Sequence, residues 1–188
     1  MKTISQLIIT MMICLFSIQT WAQSGKLFNT DNQLSSNLAT QVFQDKSGFI
    51  WIATRNGLNT YDGYHITIIK KDMSNFLGLN SNYINSIAQD EKEHILLGTN
   101  NSLLEFTGSE FLKIPMLDSK GEELATYVKQ VYPLRNKDVA VATSGYGIML
   151  KKQDEQKCHA MKGEVEKLKY IHKLLEDKRG RLWIITED

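Results

Sequence analysis

The sequence predicts an all-β fold, a partial β-propeller of four-stranded antiparallel blades, and three observations carry that expectation. A stretch of about forty-five residues returns in imperfect copies, as repeat architectures require. Within each copy, short apolar runs alternate with turn formers, the mark of hairpins. The central run is apolar on both alternating faces, with Phe49, Trp51 and Ala53 on one side and Ile50 and Ile52 on the other, which places it in a sheet covered twice. Sheets of this kind, repeating at this period, stack radially around a channel so that each meets the next. A β-sandwich would leave one face of each sheet in water and has no cause to repeat at fixed spacing.

The chain opens with a different kind of text. Lys2, an apolar run over residues 7–18 and small residues at Thr20 and Ala22 read as a secretory signal peptide over residues 1–22. Residues 23–188 then form the incomplete propeller domain, with copies at 34–71, 79–114, 125–162 and 170–188. Lys26, Leu27 and Phe28 are a short apolar patch suited to an outer strand given to a neighbouring blade.

In the first copy Asp45 and Gly48 bracket a tight turn, since Asp bonds the backbone ahead of it and Gly tolerates positive φ. Strands are expected at 40–44, 49–54, 58–61 and 64–69, with Asn56 and Gly57 as the two-residue hairpin between the second and third. The second copy echoes the first at an offset of 45: Leu34 with Leu79, Asp45 with Asp90, Trp51 with Leu96, Thr54 with Thr99, and Gly63 with Gly108. Glu93 stands where Gly48 stood, so a turn of another type is expected there. The third copy is looser. Residues 139–143 match 50–54, Pro133 and Leu134 replace the acidic turn start, and Gly145, Tyr146 and Gly147 take the hairpin position. A strand follows that glycine pair, not a helix, which argues against a phosphate loop. The polar stretches before the third and fourth copies, from Pro115 and from Lys151, read as connections, and Cys158 beside His159 as a solvated loop or outer edge strand. The fourth copy is sharp again, Asp177 to Thr186 matching Asp45 to Thr54, and then the sequence stops after two strands.

About three and a half blades do not close a ring, which takes at least four. The ring is therefore expected to stay open, with an unpaired edge at 182–185. The chain reads as the front part of a longer protein, or one completed by a second copy of itself.

Composition narrows the function. Lys and Arg number 22 against 21 Asp and Glu, a net charge of +1 with both signs scattered, which is no footprint for nucleic acid. With only Cys158 beyond the leader, no internal disulfide is available, and after residue 22 no segment is apolar enough to span a membrane. No metal and no cofactor are expected, because Cys158 and His159 lack the further ligands a site needs.

The runs Leu34-Ser35-Ser36-Asn37, Gln44 to Thr54 and Gly57 to Gly63, with Asp177 to Thr186, closely resemble the two-component regulator propeller repeat. The resemblance covers nearly all of residues 23–188, most weakly in the third copy. It implies the periplasmic sensor region of a hybrid two-component regulator, of the kind that commonly senses fragments of polysaccharides. The full-length relative would be a membrane-anchored histidine kinase with a receiver and a DNA-binding module, none of which lies in this sequence. The expected ligand is therefore an oligosaccharide, and the expected partner is the remainder of the propeller or a second copy.

The repeated residues are consumed by turns and packing, so specificity belongs to what does not repeat. In a four-stranded meander the turns from second to third strand and the connections between blades emerge together. They carry Arg55, Asn56, Asn100, Asn101 and Tyr146, along with the connection from residue 75 to Tyr83, and these are the candidate ligand-binding residues. Catalytic residues are not expected. Glycoside hydrolysis needs paired carboxylates across a pocket, and Asp45, Asp90 and Asp177 are explained as turn starts. His65, His94 and His172 fall in separate copies without shared partners. Two alternatives remain, a protein-interaction scaffold and a propeller enzyme acting on carbohydrate.

Overall fold

A computed structural model describes residues 25–71 and 77–186. The expected signal peptide lies outside those residues. β1 (Ala39–Gln44), β2 (Ile50–Thr54), β3 (Gly57–Tyr61) and β4 (Ile66–Ile69) form the first antiparallel meander. β5 (Ile84–Gln89), β6 (Ile95–Thr99), β7 (Leu103–Phe106) and β8 (Phe111–Ile114) form the second. Two short strands follow, β9 (Met116–Leu117) and β10 (Glu123–Leu124), and then the third meander: β11 (Val128–Pro133), β12 (Val139–Thr143), β13 (Ile148–Lys151) and β14 (Cys158–Ala160). β15 (Ile171–Glu176) and β16 (Leu182–Thr186) make the two-stranded start of a fourth. The open propeller read from the sequence is the fold observed.

Three cores, one between each successive pair of sheets, hold the arc together. Alternation along a strand divides its side chains between two neighbours. Ile95 and Leu97 of β6 join Trp51, Ala53 and Leu58 of the first sheet, whereas Leu96 faces Val131, Val141 and Met149 of the third. In β12, Val139 and Val141 face back, and Ala140 and Ala142 face forward onto Ile171 and Leu174. Gly98 marks a close approach of the second and third sheets: a Cβ there would sit 2.6 Å from Cγ1 of Val128.

Each inner strand carries a register shift at the same place, between Ala39 and Gln41, Ile84 and Ser86, Val128 and Gln130, and Ile171 and Lys173. A bulge re-aims the residues beside it. Here it sends a polar side chain to the neighbouring inner strand. Gln41 Oε1 accepts from the Ile87 amide at 2.8 Å, Ser86 Oγ from Val131 at 3.0 Å, and Gln130 Oε1 from Leu174 at 2.7 Å. These bonds satisfy inner-strand donors that the meander leaves unpaired, as buried backbone groups demand. Polar residues also lock the hairpins. Thr54, Thr99 and Thr143 end the second strand of their sheets, and each Oγ1 donates to the carbonyl of Gly57, Ser102 or Gly147 at 2.7 to 3.0 Å.

Several expectations change. Glu93 does not impose a new turn: it takes φ 67°, and its amide bonds Asp90 O at 3.1 Å just as Gly48 bonds Asp45 O at 3.0 Å. Lys137 does the same at φ 74°, and its amide bonds Leu134 O although no Asp starts that turn. The flanking strand register sets the turn, and the residue in it bears the strain of positive φ. The hairpin between β2 and β3 is centred one residue early, on Arg55 and Asn56, because Gly57 already pairs with Thr54. Gly57 is required for space as well as for φ 131°, since an added Cβ would stand 3.1 Å from Ser35 Cβ and 3.2 Å from Ile69 O. Residues 26–28 are not a strand. They lie against β3, with Phe28 edge-on to Tyr61 at 5.0 Å.

The connection from Pro115 is also more ordered than its polarity predicts. β9 pairs parallel with β14, Cys158 opposite Met116, and β10 adds outside it, making six strands in the third sheet. β14 is thus an outer strand without being an edge, which removes a pairing hazard. No helix among the described residues is long and apolar enough to cross a membrane.

Candidate functional site

The first residues of the inner strands and the β2–β3 turn converge on a cavity of about 410 Å³. Its lining follows from the bulges. Thr40, Asn85 and Lys129 are the extra residues of β1, β5 and β11, and Leu38, Tyr83 and Tyr127 immediately precede those strands at corresponding positions of three copies. Arg55 reaches in from the hairpin, and its amide is tied to Leu38 O at 3.1 Å.

The four large side chains stack in sequence. The Arg55 guanidinium lies 5.6 Å from the Tyr83 ring centre, Tyr83 and Tyr127 are 6.2 Å apart with rings tilted by 59°, and the Lys129 ammonium is 5.5 Å from the Tyr127 ring. Cations over aromatic faces attract each ring's quadrupole, so each holds the next in place. The Tyr127 hydroxyl donates to Asn85 Oδ1 at 2.8 Å, and Asn85 Nδ2 donates to Val128 O at 3.0 Å. The result is a half-buried aromatic surface flanked by two cations and an amide. Tyr170 occupies the fourth equivalent position and is exposed.

The other candidates are placed differently. Asn56 is exposed in the turn beside Arg55, with its amide bonded to Thr54 Oγ1. Asn100 Oδ1 accepts from Ser81 Oγ at 2.7 Å, in the connection that precedes β5, and Asn101 Oδ1 lies 3.0 Å from Thr99 Oγ1 of its own hairpin, so both side chains are engaged within the scaffold. Tyr146 lines a separate cavity of about 240 Å³ with Asp118, Leu124 and Lys169. Of the connection running to Tyr83, residues 75 and 76 fall outside the described ones, and Tyr83 itself is in the first cavity. Tyr127, Asn85 and Lys129 escaped the sequence reading. Their signal was an aromatic returning just before the inner strand while its neighbours served packing.

The tight-turn acids do more than start turns. Asp45 Oδ1 accepts from the Phe49 amide and its Oδ2 from Trp51 Nε1 at 2.8 Å. Asp177 repeats this, receiving the Arg179 and Arg181 amides and Trp183 Nε1 at 3.1 Å. The Arg181 amide, then the Trp183 indole, holds the Asp177 carboxyl at about 2, below the usual carboxylate range. In the second sheet the tryptophan is replaced by Leu96, and Asp90 instead faces His94, which also meets Glu105. His94 therefore has partners that its spacing in the sequence did not reveal. Burial pushes the Cys158 thiol up to about 12, which makes it a poor nucleophile.

Comparison with known proteins agrees with the fold. Residues 33–56, 78–101 and 167–188 match the model of the two component regulator propeller. The extracellular domain of a putative hybrid two component system from B. thetaiotaomicron superposes with a TM-score of 0.68 at 17% identity, over 89% of this chain and 23% of that one. PorZ, a surface component of the type-IX secretion system of Porphyromonas gingivalis, gives 0.60 at 17% identity, over 81% of this chain and 25% of that one. A virginiamycin B lyase from Staphylococcus aureus gives 0.64 at 9% identity, over 88% and 54%. No curated protein sequence shows significant similarity.

Proposed function

We propose, from the premise that the chain is built of two-component regulator propeller repeats, that it is part of a periplasmic ligand-sensing propeller of a two-component signalling protein. The ligand is an oligosaccharide, and the chain binds it without turning it over. The observation that carries this reading is the stack of Arg55, Tyr83, Tyr127 and Lys129 at the mouth of the inner strands. Sugar rings present an apolar C–H face and a rim of hydroxyls, and rigid tyrosines with a few fixed polar groups suit both. The two cations favour a sugar bearing a carboxylate or sulfate. The lining includes no carboxylate, whereas glycoside hydrolysis works through a pair of them. Likeness to sensor domains supports a signalling role for the parent protein, with the rest of the ring or a second copy as partner.

The test is calorimetric titration of the full chain with a panel of neutral and acidic oligosaccharides, with reducing ends assayed in parallel. Binding without new reducing ends, weakened at least tenfold by Tyr127→Ala, is the expected result. New reducing ends would make it an enzyme. Indifference to the whole panel would favour an interaction scaffold.

A further inference from the structure

On the opposite side of the arc, we infer that Asp90, His94 and Glu105 form a binding site for a divalent transition-metal ion of the zinc class. One ligand atom from each lies within 4.8 Å of the other two. His94 Nδ1 is 3.1 Å from Glu105 Oε1 and 3.8 Å from Asp90 Oδ2. A tetrahedral ion with bonds of about 2.1 Å sets its ligand atoms about 3.4 Å apart, between those two values.

The scaffold does not need His94 or Glu105. In the first sheet Phe49 and Thr60 hold the positions of His94 and Glu105, and Trp51, which closes the Asp45 turn, is replaced by Leu96. Glu105 thus places a second carboxylate beside the turn acid Asp90, at a position where the first sheet has Thr60. The side chains of Asp90 and Glu105 are only 7% and 4% exposed, and buried charge is costly unless compensated. A protonated His94 would neutralise one of them; a divalent cation neutralises both. Lys92, beside them in the turn, has its ammonium 3.8 Å from Asp154.

The ligands are also held in orientation. Asp90 Oδ1 accepts the Lys92 and His94 amides, both at 2.9 Å, leaving Oδ2 for the ion. Groups that fix a ligand in this way sharpen metal affinity. The His94 side chain is about one-third exposed, which gives the ion and its water a way in. One nitrogen and two carboxylate oxygens suit zinc or manganese, whereas calcium asks for six to eight oxygens.

The full chain, stripped with chelator and dialysed, is titrated with zinc chloride, and separately loaded with cobalt. The expected result is one equivalent of zinc that raises the melting temperature, lost in both His94→Phe and Glu105→Thr, which install the first sheet's residues. Metal-free Glu105→Thr should melt no lower than the metal-free parent, because a buried carboxylate is gone. In the parent, the cobalt spectrum should show ligand-field bands without a thiolate charge-transfer band. A parent that binds no zinc, variants that keep the equivalent, or a thiolate band would overturn the assignment.

Discussion

Trp51 and Trp183 hold the same position in the first and last repeats, and each indole donates to the aspartate six residues before it. Trp51 is 6% exposed, against Phe106 of the second sheet at 5.7 Å; Trp183 is 55% exposed on the outer face of the last described sheet. The turn, the strand and the indole bond are local, written into about ten residues and formed alike in both places. Burial is supplied by the neighbour. A propeller repeat therefore specifies its own shape but takes its stability from the adjoining blade, as in other stacked architectures.

The difference should appear first in stability. Trp51→Ala is expected to cost about 3–5 kcal/mol, as large-to-small core changes do. Trp183→Ala should cost under about 1 kcal/mol, as exposed substitutions do, and urea unfolding of the full chain distinguishes them. Next comes Gly98, whose counterpart in the last repeat is the half-exposed Ile185. Gly98→Val should destabilise by about 1–3 kcal/mol through overpacking against Val128, while Ile185→Val should be nearly silent. Glu93→Gly removes a left-handed side-chain penalty and should gain about 1 kcal/mol, readable as a raised urea midpoint at unchanged slope.

The smallest effect sharpens the local half of the comparison. The Asp177 carboxyl is depressed in the folded chain, so the stability it contributes is full above its ordinary value of 3.8 and is lost as pH falls towards about 2. A carbon-detected titration should find it ionised at pH 3, and Trp183→Phe, which removes the second of its stabilising bonds, should raise its midpoint.

What could be read from the sequence follows the same division. Asp45 with Gly48, Gly57, and the doubly apolar 50–54 and 182–186 runs carry their structure in adjacent residues, and the strands fell where these placed them. β9 and β10 were not legible, because two-residue strands have no period and the strand that anchors β9 in the sheet, β14, is some forty residues on. The turn at Glu93 misled because glycine eases that conformation without being needed for it. Arg55 was identified from its hairpin, but Tyr127 and Lys129 become site residues only through the bulge and through neighbouring sheets. His94 and Glu105 meet only because the register sets Leu96 opposite Glu105.

The central claim is that successive sheets bury one another's faces, and a double-mutant cycle between Trp51 and Phe106, on adjacent sheets of the full chain, tests it most directly. Coupling of about 0.5–1.5 kcal/mol between Trp51→Ala and Phe106→Ala is the predicted result. Strictly additive effects would mean that the two rings do not pack across the blades, and the stacked arrangement would fail.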